Sequence, residues 1–175
     1  MPFYLFVLFY AIGPMLGQCW KLYYLTRWWD KMLHIFGGIT FAVVGAFIFA
    51  KLMGQQAKPC VVFFGALCFS VAVAAAWEFV EFSADQLLGM DMQNDTVVQT
   101  VNSYLLGVST GEAASLSNIQ TVTINGTALP FSGYLDIGII DTMWDMILES
   151  LGALATCVVM YFDHGKHPLL RAREG

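Results

Sequence analysis

Ionisable side chains that could do chemistry occur in three short groups along the chain. In the first group, Asp30 and His34 are four residues apart, which places them on one face of an α-helix. Carboxylates grouped with an imidazole can bind a cation or share a proton. The candidate site residues from the three groups are Asp30, His34, Glu78, Glu81, Asp85, Asp141 and Asp145.

The second group directly follows a long apolar run. Pro59–Ala76 contains no charged residue and is typical of a membrane-spanning helix. Glu78, Glu81 and Asp85 then follow with spacing i, i+3, i+7, which puts them on one helical face. A charge at mid-bilayer costs roughly 2.5–3.5 kcal/mol on insertion scales, so such residues usually have partners and a function.

The third group precedes another apolar run. Asp141 and Asp145 share a helical face, and Glu149 continues that face one turn later. Ser150–Phe162, which follows, carries no charge. Charges reaching this far into a span favour a functional site over simple helix capping.

The composition is that of an integral membrane protein. The chain is 58% hydrophobic and 12% charged, whereas soluble domains carry about 25% charged residues. The lipid bilayer is therefore its expected partner. The net charge of −5 argues against nucleic acid as a partner.

These features predict an all-α integral membrane protein, a bundle of about four transmembrane helices in a single membrane domain, 1–175. The predicted spans are 2–18, 31–51, 59–88 and 134–162. The segment 89–133 is polar, has no Lys or Arg, and is predicted to lie outside the membrane. Asn125-Gly126 between β-prone runs predicts a small β-hairpin there. Residues 163–175 form a basic tail.

An even number of spans places both termini on one side of the membrane. The segments on that side hold more basic residues than the opposite segments, so we expect cytoplasmic termini. These basic residues are Lys51, Lys58, Lys166, Arg171 and Arg173, against Lys21, Arg27 and Lys31. In an alternating bundle, the three candidate groups lie at the same membrane level. The sequence therefore predicts one inward-facing polar site.

Several carboxylates cannot all remain ionised close together in a low dielectric. Either some are protonated or cations neutralise them, and Lys31 and Arg27 are near the same level. A carboxylate-rich site with one histidine suits Mg²⁺, Mn²⁺, Ca²⁺ or Fe²⁺ better than structural zinc. The competing interpretation is that these acids only stabilise helix N-termini, as the macrodipole favours for Asp30 and Asp141.

The motifs around the candidate residues resemble the YjdF-like family of bacterial inner-membrane proteins. They are Asp-Lys-x-x-His at 30–34, Trp-Glu-Phe-x-Glu-Phe-x-x-Asp at 77–85, Asp-Met-Gln-x-Asp-Thr at 91–96 and Gly-Tyr-Leu-Asp-Ile-Gly-x-Ile-Asp-Thr-Met-x-Asp at 133–145. The first motif alone is also similar to VanZ-like proteins. Trp144 and Asn94 stand where a basic residue is expected in relatives. The resemblance implies a multi-pass protein of the bacterial inner membrane and implies no reaction.

Three classes of function fit these observations. The first is a cation site that binds or acts on a lipid-linked or amphiphilic substrate. The second is a cation- or proton-coupled transporter, which the small number of spans and the lack of an inverted repeat disfavour. The third is a non-catalytic structural or interaction protein of the membrane. The residues name no substrate and no catalytic group.

Overall fold

A computed structural model describes residues 3–26, 28–54 and 58–163. Its helices are α1 (Phe3–Cys19), α2 (Leu22–Leu25), α3 (Trp28–Met53), α4 (Pro59–Leu88) and α5 (Ile139–Asp163). The strands are β1 (Val97–Val98), β2 (Thr100–Ser103), β3 (Ala114–Ser117), β4 (Thr123–Ile124), β5 (Thr127–Ala128) and β6 (Tyr134–Leu135). The predicted basic tail lies outside the described residues from residue 164 onward.

Among the described residues, three helices are long and apolar enough to cross a membrane: α3, α4 and α5. The 26 residues of α3 extend about 39 Å, which exceeds a hydrocarbon core of about 30 Å. The helix α1 has 17 residues and extends about 26 Å. The described part of α1 is shorter than this core, so the predicted count of four spans is not confirmed.

The chain forms two compact units. The first, which we call the helical unit, comprises Met1–Val80 with Met143–Gly175; the second, the strand unit, is Glu81–Thr142. Both α4 and α5 run from one unit into the other.

Close helix contacts at glycine organise the helical unit. A methyl group at Gly45 of α3 would lie 2.9 Å from the Cα atom of Ala66 in α4. On α5, a methyl group at Gly152 would lie 2.6 Å from the carbonyl oxygen of Ile35. Small residues allow helix backbones to approach in this way within a membrane. The buried core beside these contacts consists of Ala42, Ala46, Val62, Phe63, Ala66, Ala153 and Cys157.

These contacts also give the helix directions. The Ser70 hydroxyl donates to the Gly38 carbonyl at 3.3 Å, and Gly45 packs on Ala66, so α3 and α4 run antiparallel. Lys31 pairs with Asp145 and Ile35 packs on Gly152, so α3 and α5 run parallel. Within the helical unit, the turn of α3 that holds Lys31 therefore lies level with the turn of α5 that holds Asp145.

The strand unit contains three antiparallel strand pairs: β1 with β6, β2 with β3, and β4 with β5. The pair β4–β5 turns at Asn125-Gly126, as the sequence predicts. Both turn residues have positive φ, 51° and 83°, which is the geometry of a type I′ hairpin turn.

The last span begins later than its apolar pattern indicates. Tyr134–Leu135, the predicted start, forms β6, and α5 begins at Ile139. The carboxylate of Asp136 accepts hydrogen bonds from the backbone N–H groups of Thr96 at 2.7 Å and Ile140 at 2.7 Å. This side chain caps the helix N-terminus and ties it to the strand unit, so residues 134–138 are not helical.

Candidate functional site

A cluster of charged side chains lies between the N-terminal half of α3 and α5 within the helical unit. We call it the polar cluster, and it consists of Asp30, Lys31, His34, Asp145 and Glu149. His34 is 6%, Asp145 0% and Glu149 2% exposed. Such burial within candidate membrane spans requires that these groups neutralise or hydrogen-bond one another.

Lys31 supplies the shortest contacts in the cluster. Its ammonium Nζ donates to Asp145 Oδ1 at 2.7 Å and to Oδ2 at 2.8 Å. The Asp30 carboxylate lies 3.7 Å from the same nitrogen. One lysine thus neutralises the most buried carboxylate of the cluster.

His34 lies among three carboxylates. Its Nε2 atom is 3.8 Å from Asp30 Oδ1 and 3.9 Å from Asp145 Oδ2. On the other side of the ring, Nδ1 is 3.4 Å from Glu149 Oε2. The imidazole therefore links the first turn of α3 to a point three turns into α5.

The backbone packing of α3 against α5 holds this arrangement. A methyl group at Gly38 would meet the carbonyl oxygen of Glu149. Together with the contact of Gly152 against Ile35, this contact brings the two helix backbones close beside the His34–Glu149 contact. The side chains meet because the backbones are close, and not because the side chains are unusually long.

The cluster carries more negative than positive charge. With its carboxylates ionised, Asp30, Asp145 and Glu149 outnumber Lys31 and even a protonated His34. An excess charge in a low dielectric favours uptake of a proton or a cation. The arrangement of these side chains is compatible with the uptake of a proton and with the uptake of a cation.

Three residues of the cluster could hold a metal ion. Asp30, His34 and Asp145 each offer one ligand atom, and these atoms lie within 4.8 Å of one another. Two ligand atoms that are each about 2.1 Å from one ion lie roughly 3.0 Å apart at a right angle and roughly 4.2 Å apart on opposite sides. The two distances from His34 Nε2 fall between these limits, so the histidine could share a small divalent ion with either carboxylate. Such an ion would compete with Lys31 for the oxygens of Asp145.

Glu78 lies at the same level of the helical unit. It is 4% exposed on α4. It follows Ser70 by eight residues, just as Asp30 precedes Gly38 by eight, and Ser70 bonds Gly38 across the antiparallel pair. Equal helical rise on both sides, about 12 Å, puts Glu78 level with Asp30.

The remaining predicted residues belong to the strand unit. Asp85 accepts hydrogen bonds from the backbone N–H groups of Met92 at 2.6 Å and Gln93 at 2.9 Å. Asp141 accepts one from the Asn94 side chain at 3.2 Å. Glu81 is 7% exposed. The convergence of all seven predicted residues on one site stays a prediction.

Two members of the polar cluster lie outside the predicted site set. Glu149 shares the helical face of Asp145, and its i, i+4 spacing was the signal that pointed to it. The sequence predicts Lys31 only as a nearby charge at the same membrane level. Its partner is 114 residues away along the chain, and no local pattern identifies such a contact.

The strand unit has an acidic group of its own. Desolvation, together with the neighbouring carboxylates of Asp91, Asp136 and Asp85, raises the pKa of Asp95 above its ordinary value. Because the folded state then binds the proton more tightly than the unfolded chain, the strand unit loses stability as the pH rises through that pKa.

Comparison with known proteins identifies one family. A family model described as "Predicted membrane protein (DUF2238)" matches residues 1–166. No curated protein and no solved structure matches the chain. The matched range includes the whole polar cluster, and the family description names no reaction.

Proposed function

The chain belongs to the DUF2238 family of predicted membrane proteins, and on that premise we propose that its polar cluster is a cation site in the membrane. The site would bind a divalent ion and bind or act on a lipid-linked or amphiphilic substrate. The YjdF-like resemblance fits this family and a location in the bacterial inner membrane, whereas the VanZ-like similarity stays a prediction.

The observation that carries the proposal is the meeting of three ligand atoms from two helices. Asp30 and His34 come from α3 and Asp145 comes from α5, within 4.8 Å of one another. Residues that only cap helix ends have no reason to meet an imidazole from another helix. The excess of carboxylates over positive groups supplies the driving force for cation binding.

The donor set favours a particular kind of ion. Carboxylates alone suit Mg²⁺ or Ca²⁺, whereas an imidazole suits transition metals. One imidazole with two carboxylates therefore favours Mn²⁺ or Fe²⁺ over Mg²⁺ and Ca²⁺. When bound, such an ion would act as a Lewis acid on a carbonyl or phosphoryl oxygen. Asp30, His34 and Asp145 would hold it, and Lys31, released from Asp145, would face the anionic part of a substrate.

An amphiphilic substrate fits the gradient of exposure across the cluster. Asp30 and Lys31 each retain 18% side-chain exposure, whereas Asp145 and Glu149 are buried. Trp28, two residues before Asp30, is 79% exposed, and tryptophan favours the membrane–water interface. A head group at that level would reach the exposed edge of the cluster while its apolar part stays in the bilayer.

The test is the thermal stability of the purified protein with divalent ions. Mn²⁺ should raise the melting temperature, because a ligand that binds only the native state stabilises it. Asp30→Asn, which removes a partly exposed ligand, should reduce that shift at least twofold. Glu112→Gln, in the strand unit, should leave it unchanged. If no divalent ion shifts the wild-type transition, the cation site is wrong.

A second candidate function is a proton- or cation-coupled transporter. Glu149 favours it, because its Oε1 atom is buried without a hydrogen-bond partner among the described residues. A row of Asp30, His34 and Glu149 descending into the span is the arrangement expected of a proton relay. A wild-type protein without a divalent response, but with proton uptake that Glu149→Gln abolishes, would support this alternative.

A further inference from the structure

The two nitrogens of His34 face different partners. Nδ1 lies 3.4 Å from Glu149 Oε2, and Nε2 faces Asp30 and Asp145 at 3.8 and 3.9 Å. A neutral imidazole has one N–H group and one lone pair, so these environments compete for one proton. Which nitrogen carries it decides whether the ring can act as a ligand toward Asp30 and Asp145.

The three carboxylates differ in their hydrogen bonds, their ion pairs and their exposure to solvent. Both oxygens of Asp145 accept from Lys31 at 2.7 and 2.8 Å. Asp30 also lies within 3.7 Å of that ammonium and retains partial exposure. Glu149 is 2% exposed, and its Oε1 atom has no hydrogen-bond partner among the described residues. Of the three carboxylates, Glu149 therefore gains most from a hydrogen bond donated by the imidazole. It also lies nearest to the ring.

We propose that Glu149 is a positioning residue that holds His34 as the Nδ1–H tautomer. The proton on Nδ1 points to Glu149, and the Nε2 lone pair then points toward Asp30 and Asp145. A carboxylate that orients a ligating histidine from the far side of the ring is a recurring feature of metal sites. The role of Nε2 as a ligand rests on the proposed cation site, whereas the tautomer itself does not.

The backbone of Glu149 is well placed for this role. Its carbonyl oxygen packs on Gly38, one turn beyond His34 on α3. This contact fixes the start of the Glu149 side chain relative to the ring. Asp145, one turn earlier on α5, pairs with Lys31. Adjacent turns of α5 thus place Asp145 beside Lys31 and Glu149 beside His34 Nδ1.

Nitrogen NMR of the metal-free protein tests the tautomer directly. The other histidines, His164 and His167, are replaced by Gln so that ¹⁵N-histidine labelling reports His34 alone. At a pH at which the ring is neutral, Nδ1 should show the shift of a protonated nitrogen and Nε2 that of an unprotonated one. Glu149→Met, of similar length but without an acceptor, should move the proton to Nε2. Glu149→Gln, which keeps an acceptor oxygen, should retain the wild-type tautomer.

Three results would overturn the proposal: the Nε2–H tautomer in the wild type, a tautomer unchanged in Glu149→Met, or a ring protonated at both nitrogens at every pH at which the protein is folded. Titration with Mn²⁺ separates this proposal from the cation site. Glu149→Met should weaken Mn²⁺ binding by about 10–100-fold. The expected tautomer without any Mn²⁺ binding in the wild type would refute the cation site and leave the positioning role standing.

Discussion

At the scale of single residues, Lys31 has two opposing effects on the polar cluster. It neutralises Asp145, which would otherwise be a buried and unpaired charge. It also occupies the oxygens that a divalent ion would use. A lysine is suited to such an exchange, because its ammonium is a point charge on a flexible stem that can move aside without disturbing the helix.

Replacement of Lys31 by Gln separates these two effects. Without metal, Lys31→Gln should lower the stability by about 3–5 kcal/mol, the usual cost of breaking a buried ion pair. It should also tighten Mn²⁺ binding by about tenfold, or ~1.4 kcal/mol, since the competing cation is gone. Melting temperatures with and without Mn²⁺ measure both quantities.

Lys51→Gln is the matched control, because Lys51 lies in the last turn of the same helix and is exposed. Lys51→Gln should change neither the stability without metal nor the affinity for Mn²⁺. A weaker Mn²⁺ response in Lys31→Gln would contradict the competition between lysine and metal.

At the scale of elements, the site depends on how closely α3 approaches α5. Gly38 and Gly152 remove the side chains that would keep the two helices apart. The backbones then lie close enough for His34 to reach Glu149 and for Lys31 to reach Asp145. The two glycines thus determine which side chains of the polar cluster can contact one another, because they set the distance between the helices.

Gly38→Leu should therefore destabilise the protein by about 1–3 kcal/mol or more through overpacking. The neighbouring atom is the Glu149 backbone carbonyl, which cannot rotate away as a flexible side chain can. A displaced α5 should also reduce the Mn²⁺ response. Thermal melts in detergent measure the stability.

Ala155→Leu places the same leucine side chain at an exposed position of α5 and should be nearly neutral. An unchanged melting temperature in Gly38→Leu would show that this face of α3 is open to lipid.

At the scale of the whole molecule, the distribution of basic residues predicts the orientation in the membrane. The strand unit contains no Lys or Arg, whereas the last residues of the chain are basic. The positive-inside rule then predicts that the strand unit lies outside the cytoplasm and that the C-terminal residues lie inside.

Labelling of Ser115→Cys in intact cells tests the orientation. Ser115 lies in β3 and is exposed, so an impermeant thiol reagent should modify it without breaking the membrane. Cys19, Cys60 and Cys68 are exposed and must be replaced by Ser beforehand. Labelling that occurs only after lysis would reverse the topology.

Local sequence patterns were enough to predict several parts of this protein. The lengths of the apolar runs located α3, α4 and α5, because a membrane-spanning helix needs about 20 predominantly apolar residues and such a run is visible in the sequence. Helical spacing placed Asp30 with His34 and Asp145 with Glu149, since the period of the α-helix is fixed. Asn125-Gly126 located a hairpin, because both residues tolerate positive φ.

The tertiary structure decided what these patterns left open. The first turn of α5 depends on Asp136 reaching back to Thr96, and Asp145 depends on a lysine 114 residues away. Asp85 and Asp141 looked like Asp145 in the sequence, yet they bind Met92, Gln93 and Asn94 of the strand unit. Helical spacing says which side chains share a face. Only the packing of one helix on another says what that face meets, because partners distant in the chain leave no local periodic signal.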